Sequence, residues 1–196
     1  MEFRASMKKT DKSLIDAHIK GDQNAFGEIV HRYGDSVLGY LIRMTGNREQ
    51  AEDLFQETFK RVHEKSHTFR GSEFKSWLFR IATNVTYDGF RKRRQVESHY
   101  KQINYNNEKN EGLVSAVTDN SNNPSTVAMK TEQIKQVRQA IDSLPDKQRA
   151  TLVLAYYQKL SYREVAAALD CSIGTVKTQM FRALKTLAQK LPEVEL

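Results

Sequence analysis

Residues 160–187 constrain the fold most, because their polar residues mark two helices separated by a very short turn. Ser161 is followed three positions later by Glu164, a capping box that begins a helix. Asp170 stands at the turn and tolerates the left-handed backbone that a short turn often needs. Ser172 can cap the second helix. The segment therefore predicts a helix-turn-helix.

Each of these two helices has an apolar inner face at helical spacing. The inner face consists of Val165, Ala166 and Leu169 in the first helix, and of Val176, Met180, Ala183, Leu184 and Leu187 in the second. We expect the two faces to pack together in a small domain.

The outer face of the second helix combines cations, an amide, a hydroxyl and an aromatic ring. Arginine and glutamine can read base edges, while lysine can bind phosphates and a phenylalanine ring can contact a thymine methyl group. The alternative is an ordinary helical hairpin with a basic outer face. The mixture of groups favours DNA binding by Lys177, Thr178, Gln179, Phe181, Arg182 and Lys185.

The composition agrees with a polyanionic partner and argues against several other classes. The 196 residues carry a net charge of +7, which suits nucleic acid but also serves solubility. The single cysteine, Cys171, excludes an intrachain disulfide, and we interpret it as apolar filler in the turn. The five histidines lack metal-ligand spacing, so we expect neither a metal nor a cofactor. No apolar run suits a bilayer span or a signal peptide, so we expect a cytoplasmic protein.

The first half of the chain predicts further helices. One begins near Asp22 and ends at Gly46, and Asn47 with Gln50 forms a possible capping box for the next. The outer face of this third helix is acidic and rich in amides. It is either a solvated face whose acids favour the helix N-terminus or a partner surface, and the pattern leaves both open for Glu49, Glu52, Asp53, Gln56 and Glu57.

A Phe-Arg-Gly loop at residues 67–72 leads into a fourth helix with two distinct faces. The predicted buried face contains Phe74, Trp77, Leu78, Ile81, Ala82 and Val85. Arginine, asparagine and tyrosine beside the loop suit stacking on unpaired bases, and a basic run at residues 91–94 would contact phosphates. This second face contains Arg80, Asn84, Tyr87, Asp88 and Arg91.

Residues 95–129 are rich in asparagine and serine and contain Pro124, so they predict a flexible linker. Strand-like alternation is absent, and the predicted architecture is all-α with two helical domains at residues 13–94 and 130–191. The sequence contains no nucleotide-binding loop, nucleophile elbow or catalytic carboxylate pair. We therefore do not expect an enzyme, although an enzyme acting on nucleic acid is one alternative class.

Taken together, these stretches resemble the bacterial RNA polymerase sigma factors of the extracytoplasmic-function group. The resemblance rests on residues 21–26, 51–59, 69–84, 141–145 and 160–184, in the family's order and spacing. It implies a promoter-specificity factor that binds core RNA polymerase and promoter DNA and helps to open the strands. A repressor or activator that uses the helix-turn-helix without polymerase is a second alternative, but it leaves the loop, Asn84 and the acidic helix unexplained.

The resemblance implies a role for each face. The third helix would dock on the clamp coiled coil of the largest polymerase subunit through Asp53, Gln56 and Glu57. The loop would hold a flipped base of the -10 element, and Asn84 would read a base. The implied -10 contacts are Phe69, Arg70, Gly71, Ser72, Phe74, Arg80, Asn84, Tyr87, Arg91, Arg93 and Arg94.

The second domain resembles the family's reader of the -35 element. The implied contacts are Ser172, Thr175, Lys177, Thr178, Gln179, Phe181, Arg182 and Lys185. Gln179 stands where an arginine is common in the family, which puts one phosphate or base contact in doubt.

The linker length predicts that a scaffold is needed. The two promoter elements lie roughly two helical turns apart, on the order of 70 Å. A flexible linker of about 35 residues spans roughly 30 to 35 Å on average, so it can reach but does not hold the spacing. Core polymerase would be that scaffold, and the resemblance also implies control by an anti-sigma protein, without direct membrane insertion of this chain.

Overall fold

The computed structural model describes residues 9–71, 73–104 and 126–191, and these residues are helical with short connections and no strand. The all-α prediction is confirmed. The amino-terminal unit contains Asp11–Ile19 (α1), Gln23–Thr45 (α2), Arg48–Lys65 (α3), a 3-10 turn at Ser66–Thr68, and Phe74–Asn104 (α4). The carboxy-terminal unit contains Thr126–Asp142 (α5), Asp146–Leu152 (α6), a wide turn at Val153–Tyr157, Tyr162–Leu169 (α7) and Ile173–Lys190 (α8).

The predicted helix ends of the amino-terminal unit are largely confirmed. The Asp22 carboxylate accepts hydrogen bonds from the backbone N–H groups of Asn24 and Ala25 at 3.0 and 3.3 Å. Gly46 ends α2 with a φ of 68°, a left-handed conformation that glycine adopts without a Cβ penalty. Asn47 caps α3 through the N–H of Gln50, but the Gln50 side chain accepts from Arg93 instead of completing a capping box.

Aromatic packing and one buried hydrogen bond hold α2 against α4. Tyr40 is fully buried and meets Phe79 edge-on, with ring centroids 5.4 Å apart. Its hydroxyl lies 2.8 Å from the Thr83 hydroxyl, which also donates to the Phe79 carbonyl. The Tyr40 hydroxyl therefore has a partner inside the core, as a buried polar group requires.

The two helices that border the predicted linker extend into it, beyond the predicted domain ends at residues 94 and 130. α4 continues to Asn104 and α5 begins at Thr126, so both ends of the predicted 95–129 segment are helical. No glycine or proline lies between Phe90 and Asn104 to end α4, and Arg93 pairs with Glu97 one turn further on. Residues 105–125, which include Pro124, lie outside the described residues.

The helical segment at residues 146–157 divides into two parts. Regular hydrogen bonding ends with α6, and the following turn is wider, with the N–H of Gln158 donating to the Val153 carbonyl at 3.1 Å. Lys159 then adopts a φ of 56°. This wide turn sets the direction in which the chain enters the helix-turn-helix.

The predicted caps and turn of the helix-turn-helix are confirmed. The backbone N–H of Ser161 donates to Glu164 at 2.7 Å, and the Ser161 hydroxyl accepts from the Glu164 N–H at 3.3 Å, which completes the capping box. Asp170 is left-handed with a φ of 52°, and Ser172 caps α8 through the N–H of Thr175. The half-buried Cys171 packs against the core, and burial raises the pKa of its thiol.

One predicted core residue is wrong. Leu184 is 53% exposed, because the buried face of α8 is narrow and is filled by Val176, Met180 and Ala183. In α7, the buried Ala168 belongs to the inner face although the sequence prediction did not include it.

A histidine pair at the α1–α3 contact predicts a pH-dependent stability. The rings of His18 and His63 lie 4.9 Å apart, and burial, with a smaller contribution from His63, lowers the pKa of His18. The unfolded chain therefore binds a proton at this residue more readily than the folded chain. We expect the free energy of unfolding to fall as pH drops below about 6.5, the ordinary histidine value.

Urea unfolding between pH 7.5 and 5.5 checks this expectation. His18→Gln should flatten the pH dependence, whereas His31→Gln, at an exposed position, should leave it unchanged. An identical slope in the wild type and His18→Gln would contradict the assignment.

Candidate nucleic-acid and partner interfaces

The outer face of α8 is open to solvent. Lys177, Arg182 and Lys185 are exposed, and the Phe181 ring is 68% exposed. Gln179 is half-buried at the edge of this face. An exposed aromatic ring among free cations can contact bases while the cations bind phosphates, so this arrangement suits insertion of α8 into a groove of DNA.

The start of α8 is built differently from the rest of this face. The Ser172 hydroxyl lies 2.9 Å from the Thr175 hydroxyl, and Thr178 donates to the Gly174 carbonyl at 3.0 Å. These hydroxyls are engaged in the helix, yet each retains acceptor capacity. Ser172 and Thr175 therefore first serve the helix cap, and a DNA contact by them stays a prediction.

Leu184 belongs to the same surface although it was predicted to be core. It lies three positions after Phe181, so the two side chains are neighbours on one face of α8. The spacing from Phe181 was the available signal, but the equally good spacing from Met180 pointed to the core. The exposed apolar area on α8 is therefore larger than predicted.

The second predicted face lies on α4. Arg80 and Asn84 are exposed one turn apart, and Arg91 is exposed further along the helix. Tyr87 is half-buried, and burial, with a smaller contribution from Asp146, raises the pKa of its phenol. The hydroxyl therefore stays protonated and can donate a hydrogen bond. These side chains form a polar strip on α4 with the exposed Asn84 at its centre.

The loop before α4 is held by aromatic contacts. The Phe69 ring packs edge-on against Phe74 at 5.4 Å and lies 5.4 Å from Trp77. Phe74 is only 1% exposed, so the structure does not support its predicted base contact, and its ring supports Phe69 from the core instead. Arg70 and Gly71 are exposed, and Ser72 lies outside the described residues.

The basic run that follows is largely paired within the chain. Arg91 lies 3.2 Å from Asp88, and Arg93 lies 3.2 Å from Glu97. Arg94 pairs with Asp146 of the carboxy-terminal unit. All three guanidinium groups are exposed, so these pairs are weak and can exchange for phosphate contacts.

The acidic strip is the acidic, amide-rich outer face of α3, and two of its three predicted contact residues are exposed. Asp53 and Gln56 are exposed, whereas Glu57 is half-buried and accepts from Arg61 at 2.8 Å. Arg61 also donates to Asp88 of α4 at 3.0 Å. One guanidinium thus joins the acidic strip to the polar strip on α4, which fixes the position of the two helices relative to each other.

Two other kinds of site are absent from the described ranges. Residues 9–71, 73–104 and 126–191 contain no group of three histidine, cysteine, aspartate or glutamate side chains that could hold a metal ion. In the same ranges, no helix has the length and apolar character needed to cross a membrane.

Comparisons with known families match both units. The family described as sigma-70 region 2 matches residues 29–96, and the family described as sigma-70 region 4 matches residues 134–187. These two matches cover most of α2 to α4 and most of α5 to α8, and they contain the three faces described above.

Relatives and solved structures extend the similarity over nearly the whole chain. The ECF RNA polymerase sigma factor SigW of Bacillus subtilis is 34% identical over 184 residues, which cover 93% of this chain and 97% of SigW. The ECF RNA polymerase sigma-E factor of Escherichia coli is 33% identical over 185 residues, covering 93% of this chain and 94% of the relative.

Two solved complexes have a similar fold. CnrH, solved with the cytosolic domain of CnrY, has a TM-score of 0.64 and 23% identity, covering 92% of this chain and 96% of CnrH. The sigma factor RpoE of Bartonella quintana, solved with the anti-sigma factor NepR, has a TM-score of 0.63 and 26% identity, covering 84% of this chain and 94% of RpoE. Both family matches and the near-complete alignment with relatives show that this chain belongs to the extracytoplasmic-function group of RNA polymerase sigma factors.

Proposed function

We propose that this sigma factor binds core RNA polymerase through α3, reads the -10 element with α4 and its preceding loop, and reads the -35 element with α8. The observation that carries the proposal is the exposure of three chemically distinct faces on three helices. Asp53 and Gln56 are exposed on α3, Asn84 is exposed on α4, and the cations with Phe181 are exposed on α8. The charge and residue types of each face suit the partner proposed for it.

Of the three proposed contacts, the one with polymerase is indicated by the least specific residue pattern. Carboxylate and amide groups on a helix of a basic chain suit a basic partner surface, and the proposed partner is the clamp coiled coil of the largest subunit. Asp53 and Gln56 would contact it directly. Glu57 would contribute through its pairing with Arg61, which holds α3 against α4.

The -10 contact joins strand opening to recognition. Unstacking and flipping a base costs a few kcal/mol, which binding of the flipped base has to offset. Asn84 offers both a donor and an acceptor to a base edge, and the Phe69 ring, supported by Phe74 and Trp77, offers a rigid apolar wall. Arg70, Arg91 and Arg93 would hold the flanking phosphates.

Asn84 and Asp53 substitutions separate opening from polymerase binding. Asn84→Ala should slow promoter opening, measured by permanganate reactivity, and leave binding of core polymerase unchanged. Asp53→Lys should weaken core affinity roughly tenfold, because a charge at a protein interface is reversed, and should leave opening unchanged once excess variant saturates the polymerase.

Asn24→Ala, at an exposed position on α2, is the matched control and should change neither measurement. A template with a premelted -10 region should restore transcription by Asn84→Ala. Equal losses of opening and of core binding in Asn84→Ala would contradict its role as a base reader.

Arg182 tests the -35 contact. Arg182→Ala should weaken binding of the preferred -35 duplex by about 1 to 3 kcal/mol and reduce discrimination among sequence variants, if the guanidinium reads a base. Lys190→Ala, at the end of α8, should preserve the preference. Unchanged affinity of Arg182→Ala across the -35 variants would exclude Arg182 from recognition.

We further propose control by an anti-sigma factor that covers these faces. Two relatives with the same fold support this, since CnrH was solved with CnrY and RpoE with the anti-sigma factor NepR. Affinity purification of the tagged chain from its own cells, before induction, should recover a stoichiometric inhibitor. Recovery of polymerase alone under all conditions would contradict this control.

A further inference from the structure

A cleft of about 610 Å³ lies between residues 87–98 of α4 and the first two residues of α6. Clefts that bind small molecules typically measure roughly 300 to 1,000 Å³. Four of its lining side chains are exposed, so the cleft opens to solvent; these are Arg91, Gln95, Ser98 and Lys147. A small molecule can therefore enter the cleft without a change in the fold.

The floor of the cleft is aromatic. Tyr87 and Phe90 line it, and both are half-buried. Aromatic side chains of this kind stack on the planar rings of nucleobases whatever their sequence. The Tyr87 hydroxyl, the Gln95 amide and the Ser98 hydroxyl can hydrogen-bond the polar atoms of a base edge or a sugar. The floor and these groups therefore suit a base with its attached sugar.

Three cations line the same cleft together with one carboxylate. Arg91, Arg94 and Lys147 stand against Asp146, which leaves a surplus of two positive charges. Asp146 pairs with Arg94, whereas Lys147 forms no ion pair with any other residue that the structure describes. Guanidinium groups match the oxygens of a phosphate, and a lysine adds a point charge. The rim of the cleft therefore suits a chain of phosphates.

Arg91 is available for a ligand although it lies 3.2 Å from Asp88. The Asp88 carboxylate also accepts a hydrogen bond from Arg61 at 3.0 Å, so two guanidinium groups share it. The Arg91 side chain is 71% exposed, and an exposed ion pair is weak. A phosphate can therefore replace Asp88 as the partner of Arg91, while Asp88 keeps Arg61.

We propose that this cleft binds a free nucleotide with two or three phosphates. Its base would stack on Tyr87 and Phe90, and its phosphates would lie on Arg91, Arg94 and Lys147. The surplus of two positive charges favours a free nucleotide over a nucleotide within a DNA strand, because a strand presents one phosphate charge per nucleotide.

Three residues of the cleft are also proposed contacts of the -10 element, namely Tyr87, Arg91 and Arg94. The nucleotide and the -10 strand should therefore exclude each other. This consequence rests on the assignment of α4 to the -10 element, whereas the nucleotide site itself does not. A bound nucleotide would act as a competitor of -10 recognition.

Isothermal titration calorimetry of the full-length chain with ATP and GTP, at fixed salt and without added divalent metal, tests the site. Adenosine and inorganic triphosphate probe the ring and the phosphates separately. ATP should bind at least roughly tenfold more tightly than either probe, because it engages both parts of the cleft. Triphosphate that binds as tightly as ATP would overturn the proposal, since any basic chain attracts a polyanion. Absence of binding up to about 1 mM ATP and GTP would also overturn it.

A charge reversal in the cleft supplies the matched variants. Lys147→Glu leaves the fold intact, because the position is exposed and an acidic side chain is favourable in the first turn of a helix. It should weaken ATP binding roughly tenfold. Lys60→Glu makes the same change of charge at an exposed position of α3 and should leave ATP binding unchanged. Equal losses in the two variants would overturn the proposal.

The aromatic floor has a test of its own. Phe90→Leu keeps an apolar side chain but removes the ring, so it should weaken binding of ATP and leave binding of inorganic triphosphate unchanged. Unchanged ATP binding by Phe90→Leu would contradict the stacking of the base on this ring.

A single-stranded -10 oligonucleotide distinguishes the two sources of a nucleotide. Saturating ATP should weaken its binding at least roughly threefold, and Lys147→Glu should weaken it less than it weakens ATP. Equal weakening of both ligands by Lys147→Glu would assign the cleft to the DNA strand and overturn the proposal. If ATP binds as expected and the oligonucleotide does not bind, the nucleotide site is supported and the -10 assignment is contradicted.

Discussion

The packing of α7 is the constraint on which the rest of the structure depends. Its capping box fixes where it begins, the left-handed Asp170 fixes where it ends, and its buried face is the one that carries Val165, Ala166 and Ala168. Val165 and Ala168 of this face lie in the core shared with α4. The turn that contains Asp170 then sets the direction of α8. The outer face of α8 is therefore exposed as a result of how α7 packs.

Local signals predicted the features that depend on a few neighbouring residues. Asp22, Gly46, Ser161, Asp170 and Ser172 all have the roles expected from their side chains, because caps and left-handed turns are decided within one turn of helix. The families of both units also follow from motif order in the sequence. The remaining features depend on contacts between distant segments.

Long-range contacts explain what the sequence did not predict. The wide turn at Val153–Tyr157 carries no glycine or proline, and the Gln158 side chain beside it is held by Ser36, 122 positions away. Phe74 was predicted both on the buried face of α4 and, from its loop motif, as a base contact, and its packing against Tyr33 and Phe69 agrees with the first of these. Helical spacing could not predict whether Leu184 is buried, because Leu184 lies four positions after the buried Met180 and three positions after the exposed Phe181.

The proposed promoter recognition by this chain would depend on the exchange of internal ion pairs for phosphates. Arg80, Arg91, Arg93 and Arg94 each pair with a carboxylate of the chain, and all are exposed enough for the exchange to cost little. Affinity for DNA should therefore depend on the salt concentration. It should also depend on whether the two units are packed against each other. Polymerase would supply the geometry that the chain alone does not hold.

Run-off transcription with purified core polymerase and a pool of random promoters tests the central claim most directly. We expect the added chain to produce new transcripts from a subset of templates that share a -35 and a -10 motif at fixed spacing. If the chain neither binds core polymerase nor changes the transcripts, yet shifts duplex DNA alone, the account of a promoter-specificity factor would be contradicted.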